Sequence, residues 1–296
     1  MPYAGELAAL VTAFCWVGST LFFEASARRV GSLSLNLLRL LAASAYLALY
    51  GLVTRGSAFP DHASPHAWTW LTLSGFVGFT FGDMCLFRAY LVLGPRLSTL
   101  LMALVPPIAA LLSWLTLGEA LTAGDLCGMA ITLAGVGWVV QESPQGGDAV
   151  PRGHRVRGVL LGMGGALGQG GGLVLSKLGM GDLDPFEATQ VRALAGMVGF
   201  AAVYLALGWW PRFAASLKDA RAVGLASVGA LFGPFLGVSL SLYSIQHAPV
   251  GVAATLMALV PVLILPVVVV VRHEKVSWRA AVGAAIAVVG VGVLVR

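Results

Sequence analysis

The sequence predicts an all-α integral membrane protein with ten transmembrane helices, arranged as two inverted five-helix repeats. Three observations predict it. Of 296 residues, 58% are hydrophobic and only 10% charged, with a mean hydropathy of +0.88, whereas ordinary soluble domains carry about 25% charged residues. The hexapeptide LMALVP at Leu101–Pro106 returns unchanged at Leu256–Pro261, and the same offset of 155 pairs Glu119 with Glu274, Gly128 with Gly283, Gly135 with Gly290, Gly78 with Gly233 and Gly82 with Gly237. Such a duplication is too long for a solenoid unit. Each half also holds five apolar stretches, and about 20 residues of helix suffice to cross about 30 Å of hydrocarbon. An odd number of spans per half sends the second half in from the opposite side, so the repeats are inverted. The domains are then 1–141, a linker at 142–155 with Pro144, Gly146, Gly147 and Pro151, and 156–296.

Span 1, residues 4–27, has no basic leader or small-residue cleavage site and is too long for a signal segment, so it stays as a helix. It carries Trp16 and Glu24 and closes at Arg28-Arg29. Span 6, 156–176, is its mate at an offset of 153, which sets Gln169 opposite Trp16 and Lys177 opposite Glu24. The glycine-rich segment 162–172 breaks the dinucleotide-loop spacing at Leu167 and follows no strand, so its glycines read as close helix packing, with a hinge as the alternative. Spans 2 (33–53) and 7 (187–207) carry Arg39 and Arg192, again 153 apart. Snorkelling to the headgroups is the plain reading of both, and an ion pair or gate contact the other.

Span 3, 67–90, holds Thr80, Asp83, Arg88 and Tyr90 among Phe76, Phe79, Phe81 and Phe87. An ionisable group at depth is costly and faces the bundle interior or a water-filled cavity, so Asp83 is the first site candidate. It can instead anchor a neighbouring helix by hydrogen bonds. Asp83 and Arg88 are five residues apart, about 140° round a helix, and do not pair. The mate of Asp83 is Val238, so its role belongs to one half alone.

Spans 4 (97–117) and 9 (250–271) have Pro106 and Pro261 in mid-span. Each proline removes a backbone hydrogen bond and frees a carbonyl one turn back, tolerable only within protein or at a cavity. Matched kinks point to a shared site flanked by Met102 and Met257; simple helix curvature is the alternative. Glu119 and Glu274 cap the following helix or meet substrate. Spans 5 (122–141) and 10 (277–295), with Gly128, Gly135, Gly137 and Gly283, Gly290, Gly292, read as scaffold. Span 8 (222–245) leads into a polar end with Tyr243, Gln246 and His247.

Cys15, Cys85 and Cys127 all lie in apolar spans, so no disulfide is expected. The net charge of +5 comes from scattered residues at helix ends, which argues against nucleic acid as a partner. No metal or cofactor is expected: Pro60 and Pro65 keep His62 and His66 off one helix face. No H-E-x-x-H, G-x-S-x-G or paired-Asp motif supports the rival reading, an intramembrane enzyme acting on a lipid or prenyl substrate. A channel would need a ring of like charges that the sequence lacks. The expected partners are the bilayer and a small-molecule substrate, with the chain a monomer; the driving force is not readable from the sequence, since Asp83 either carries a coupling proton or holds structure.

The paired LMALVP stretches, each with a glutamate 13 residues on, followed by a glycine-rich closing helix, and the matched Arg39 and Arg192, give a chain that resembles the drug/metabolite transporter superfamily, in its ten-helix branch with two EamA domains. The resemblance covers nearly the whole chain. It implies an exporter or exchanger of small metabolites in a bacterial-type cytoplasmic membrane, with a cavity lined by helices 1, 3, 4, 6, 8 and 9, hence by Trp16, Phe79, Asp83, Met102, Gln169, Tyr243 and Met257. Aromatic and thioether side chains there lean the expectation toward aromatic or other apolar amino acids. It also implies cytoplasmic termini. The charges disagree: twelve basic residues follow odd-numbered spans and three lie on the other side, which places both termini outside.

Overall fold

The structure is a computed structural model that describes residues 3–142, 152–272 and 277–295. Helix α1, Ala4–Val30, meets α2, Ser32–Arg55, across the single residue Gly31, whose φ of 82° only glycine adopts readily. Helix α3, Pro65–Gly75, passes through a π-helical stretch, Phe76–Gly82, into α4, Asp83–Met102. Then come α5, Val105–Leu117, and α6, Ala123–Glu142. The second half has α7, Arg152–Met180, α8, Pro185–Leu207, and a short α9, Trp210–Leu217. Helix α10, Ala220–Ala230, continues through a second π stretch, Leu231–Gly237, into α11, Val238–His247, followed by α12, Val250–Met257, α13, Val260–Arg272, and α14, Trp278–Leu294. Among the described residues, seven helical stretches are long and apolar enough to cross a membrane, and three shorter apolar ones, Val105–Leu117, Val250–Ile264 and Trp278–Leu294, complete ten.

Two pairs of sequence mates, α2 with α8 and α6 with α14, pack against one another, and each pair runs antiparallel, as inversion requires. On α2 and α8, Ser34 bonds Tyr204 and Arg55 lies 3.8 Å from Glu187 at the other end. On α6 and α14, Gly128 abuts Leu294 and Gly135 abuts Gly283 and Ala287. A Cβ on Gly135 would collide with the Ala287 nitrogen, so the scaffold contact depends on bare backbone. Gly292, expected in the same stripe, has nothing within 4 Å; it lies off the contact face.

Span 3 runs antiparallel to α7, with Gly82 on Gly168 and Gly78 on Gly172; the glycine-rich segment therefore serves close packing. Within α4 the chain reverses. Leu86 and Met102 both border Gly165, yet sixteen residues of straight helix would part them by about 24 Å. This turn separates spans 3 and 4.

Both proline breaks occur. Helix α4 ends at Met102 and α5 starts at Val105; α12 ends at Met257 and α13 starts at Val260. The two π stretches are also mates at the offset of 155, and a π turn widens the helix by inserting a residue into its ladder. Helix α9 lies where the sequence predicts a loop between spans 7 and 8. It starts at Trp210-Pro211 and buries Phe213 against Tyr204, with ring centroids 5.6 Å apart.

Candidate functional site

Where the first π stretch gives way to α4, the chain delivers Asp83 into the bundle. The residue is 5% exposed. Its Oδ2 is ion-paired with Arg39 Nη2 from α2, and its Oδ1 accepts a hydrogen bond from Gln169 Nε2 of α7 at 2.9 Å. Gln169 also reaches the carbonyl of Gly78 at 3.4 Å. Arg39 lies over the Phe23 ring at 5.7 Å, and Arg192 of α8 over the Phe79 ring at 5.0 Å. The ion pair and hydrogen bonds thus join α2 and α4 of the first half to α7 of the second, with Arg192 of α8 nearby on the Phe79 face.

This corrects the snorkelling reading. The Arg39 side chain is 14% exposed and Arg192 is 4% exposed, because Asp83 and two aromatic faces compensate charges that would otherwise seek the headgroups. Phe79, expected as a cavity wall, is buried beneath Arg192 and against Gly196. Trp16 packs on Gly237 at the end of the second π stretch, the position that mirrors Gln169 beside Asp83. Met102 lies against Gly165 of α7, while Met257 is 2% exposed and packed in the main core. Tyr243 stands apart from the network: it is 36% exposed and stacks on His247 at 4.2 Å. Pro106 is buried at the start of α5 and Pro261 half-buried at the start of α13. Arg88 is exposed and does not pair with Asp83.

A second network closes the face where α1 begins. Glu119 Oε2 accepts the Val250 N–H at 2.9 Å, capping α12, and Oε1 lies 2.5 Å from Lys177 Nζ, which donates to the Ala248 carbonyl at 2.9 Å. Glu119 therefore does not cap the following helix; Thr122 and Asp125 do that for α6. The mate residue Glu274 lies outside the described residues, as does most of the 142–155 linker. On the opposite face Asp219 caps α10 through Ala222 and pairs with Arg29 at 2.8 Å. Those bonds, the Ala222 N–H first, hold the Asp219 carboxyl below its ordinary value.

A cleft of about 710 Å³ opens on the α1-start face, lined by Arg55, His62, His66, Asp184 and Glu187 among others. It lies away from Asp83. Glu187, 1% exposed, accepts the His62 backbone N–H at 2.8 Å and lies 3.8 Å from Arg55. The sequence offered His62 and His66 only as a metal pair, and it gave no reason to join them to Arg55, Asp184 and Glu187 beyond the clustering of Asp182, Asp184 and Glu187 at one helix start.

A family model, the EamA-like transporter family, matches residues 3–141 and 156–296. A solved crystal structure superposes with a TM-score of 0.78 over 99% of this chain and 96% of its own, at 21% identity, a likeness of fold. No curated protein matches the sequence.

Proposed function

Because the chain belongs to the EamA-like transporter family, a membrane transporter family of small molecules, we propose that it is a secondary exporter or exchanger of small metabolites, amino acids with a lean to aromatic and apolar ones. It would work by alternating access at a cavity between its inverted repeats. The observation that carries this reading is the Arg39–Asp83–Gln169–Arg192 set, which draws charged groups from both halves to one buried place. Charges are kept at such depth at a cost, and in membrane bundles they mark substrate or ion pathways. Trp16 and Gln169, equivalent under the repeat, supply an aromatic and a hydrogen-bonding wall, suited to the two ends of an amino acid. In this reading a coupling proton, if the carrier uses one, is carried by Asp83.

The test is uptake and counterflow in proteoliposomes with a panel of amino acids and metabolites. Saturable transport of an apolar amino acid is expected. Trp16→Ala and Gln169→Ala should each lower it about tenfold for every ~1.4 kcal/mol of binding energy removed, while Val139→Ala and Val289→Ala, on the scaffold helices, change it little. Scaffold variants that abolish transport, beside active Trp16 and Gln169 variants, would show that the cavity is elsewhere.

A further inference from the structure

We propose that Arg192 is the anchor for a carboxylate of the transported substrate, so that the carrier selects molecules by a carboxylate and not by an amino group. The inference rests on the transporter reading above and names the chemistry that the site takes.

Arg39 and Arg192 are mates, but the protein treats them unequally. Arg39 has Asp83 as its counter-ion, itself further held by Gln169. The residue that mirrors Asp83 is Val238, so the second half has no carboxylate at the corresponding place. Arg192 Nε and Nη1 have no hydrogen-bond partner, and among the described residues no carboxylate lies within ion-pair distance of it. It is nevertheless 4% exposed. The Phe79 face offers partial compensation only. Beside the guanidinium the packing surface is bare backbone: a Cβ on Gly78 would lie 3.3 Å, and one on Gly172 3.6 Å, from Arg192 Nη2. Thr80 Oγ1, one residue beyond Phe79, likewise has no partner.

Two guanidinium groups against one carboxylate leave the site one positive charge in excess. A buried charge without a partner is unfavourable, and a hydrogen-bonded anion is what relieves it. Guanidinium groups hold both carboxylate and phosphate by paired hydrogen bonds. Charge separates the two. A carboxylate brings the cluster to neutrality, whereas a dianionic phosphate would leave it negative within the membrane.

The test uses the purified full-length chain in lipid nanodiscs, with thermal stabilisation as the binding readout and phenylalanine, 3-phenylpropionate, phenethylamine and inorganic phosphate as probes, followed by a panel of further monocarboxylates. Phenylalanine and 3-phenylpropionate should both stabilise the protein and phenethylamine should not. Arg192→Lys should weaken carboxylate binding about tenfold, and Arg192→Gln should remove it. The wild-type comparison of acid with amine stands even if the variants fail to fold. Stabilisation by the amine as strong as by the acids, unchanged carboxylate binding in a folded Arg192→Gln protein, stabilisation by phosphate alone, or none by any monocarboxylate would each overturn the proposal. Should carboxylates bind through Arg192 while no amino acid is transported, the amino-acid reading fails and the carboxylate anchor stands.

Discussion

At the residue scale the Arg39–Asp83 pair dominates. Its two side chains are 14% and 8% exposed, so removing one partner strands a buried charge, at a cost of about 3–5 kcal/mol, whereas replacing both with apolar groups of similar size is often near neutral. Asp83→Leu and Arg39→Met should therefore each lower the melting temperature in detergent, and the double variant should regain most of the loss. Transport in proteoliposomes should stay absent in all three. A double variant as unstable as the worse single one would show that Asp83 is held by Gln169 rather than by Arg39; a double variant that transports would show the pair to be structural alone.

At the element scale, helices meet through bare backbone and caps. The α6–α14 contact leaves no room at Gly135, where a Cβ would run into the Ala287 nitrogen. Gly135→Ala should lower the melting temperature clearly. Gly292→Ala, in open space, should leave it unchanged or raise it, alanine being favoured over glycine in helices by about 1 kcal/mol. Equal effects would mean that the glycine stripe does not form the contact. Glu119 joins three helix ends by two different bonds. Glu119→Gln keeps an acceptor for the Val250 N–H and loses only the ion pair with Lys177, while Glu119→Ala loses the cap as well, about 1 kcal/mol more. Thermal melts should rank the two in that order, and identical melts would remove the cap from the account.

At the scale of the whole molecule, orientation is argued from the loop charges. The start of α1 and the end of α14 lie on one face: Gly5 packs on Ala248, Leu294 packs on Gly128 at the start of α6, and Glu119 just before α6 bonds Val250, whereas Ser26 bonds Ala222 at the other end of α1. Twelve basic residues in the loops after odd-numbered spans, against three on the termini's side, predict that the termini are outside. Single cysteines placed in the 142–155 linker of a cysteine-free chain should then resist an impermeant thiol reagent in intact cells and react after permeabilisation. Labelling in intact cells would put the termini inside, as the resemblance implies.

Much of this was legible in the chain itself. The spans, the duplication and its inversion follow from hydropathy and the parity of five, and the helix breaks follow from Pro106 and Pro261, because these are local properties or properties of length. That Asp83 is buried in the bundle follows from the cost of charge in hydrocarbon. Partner choice was not legible. Asp83 takes Arg39 and Gln169, Glu119 caps α12 across 131 residues, and Met257 packs in the core while Tyr243 stays out, because those outcomes depend on which helices abut and at what rotation. The π stretches left only the matched glycines 78 and 82, 233 and 237 as a trace, since a widened turn has no residue code of its own. Sequence by itself determined how many helices cross and that the two halves oppose each other; tertiary structure decided which of two equivalent arginines received the single carboxylate, because a buried charge finds its partner through space and not along the chain.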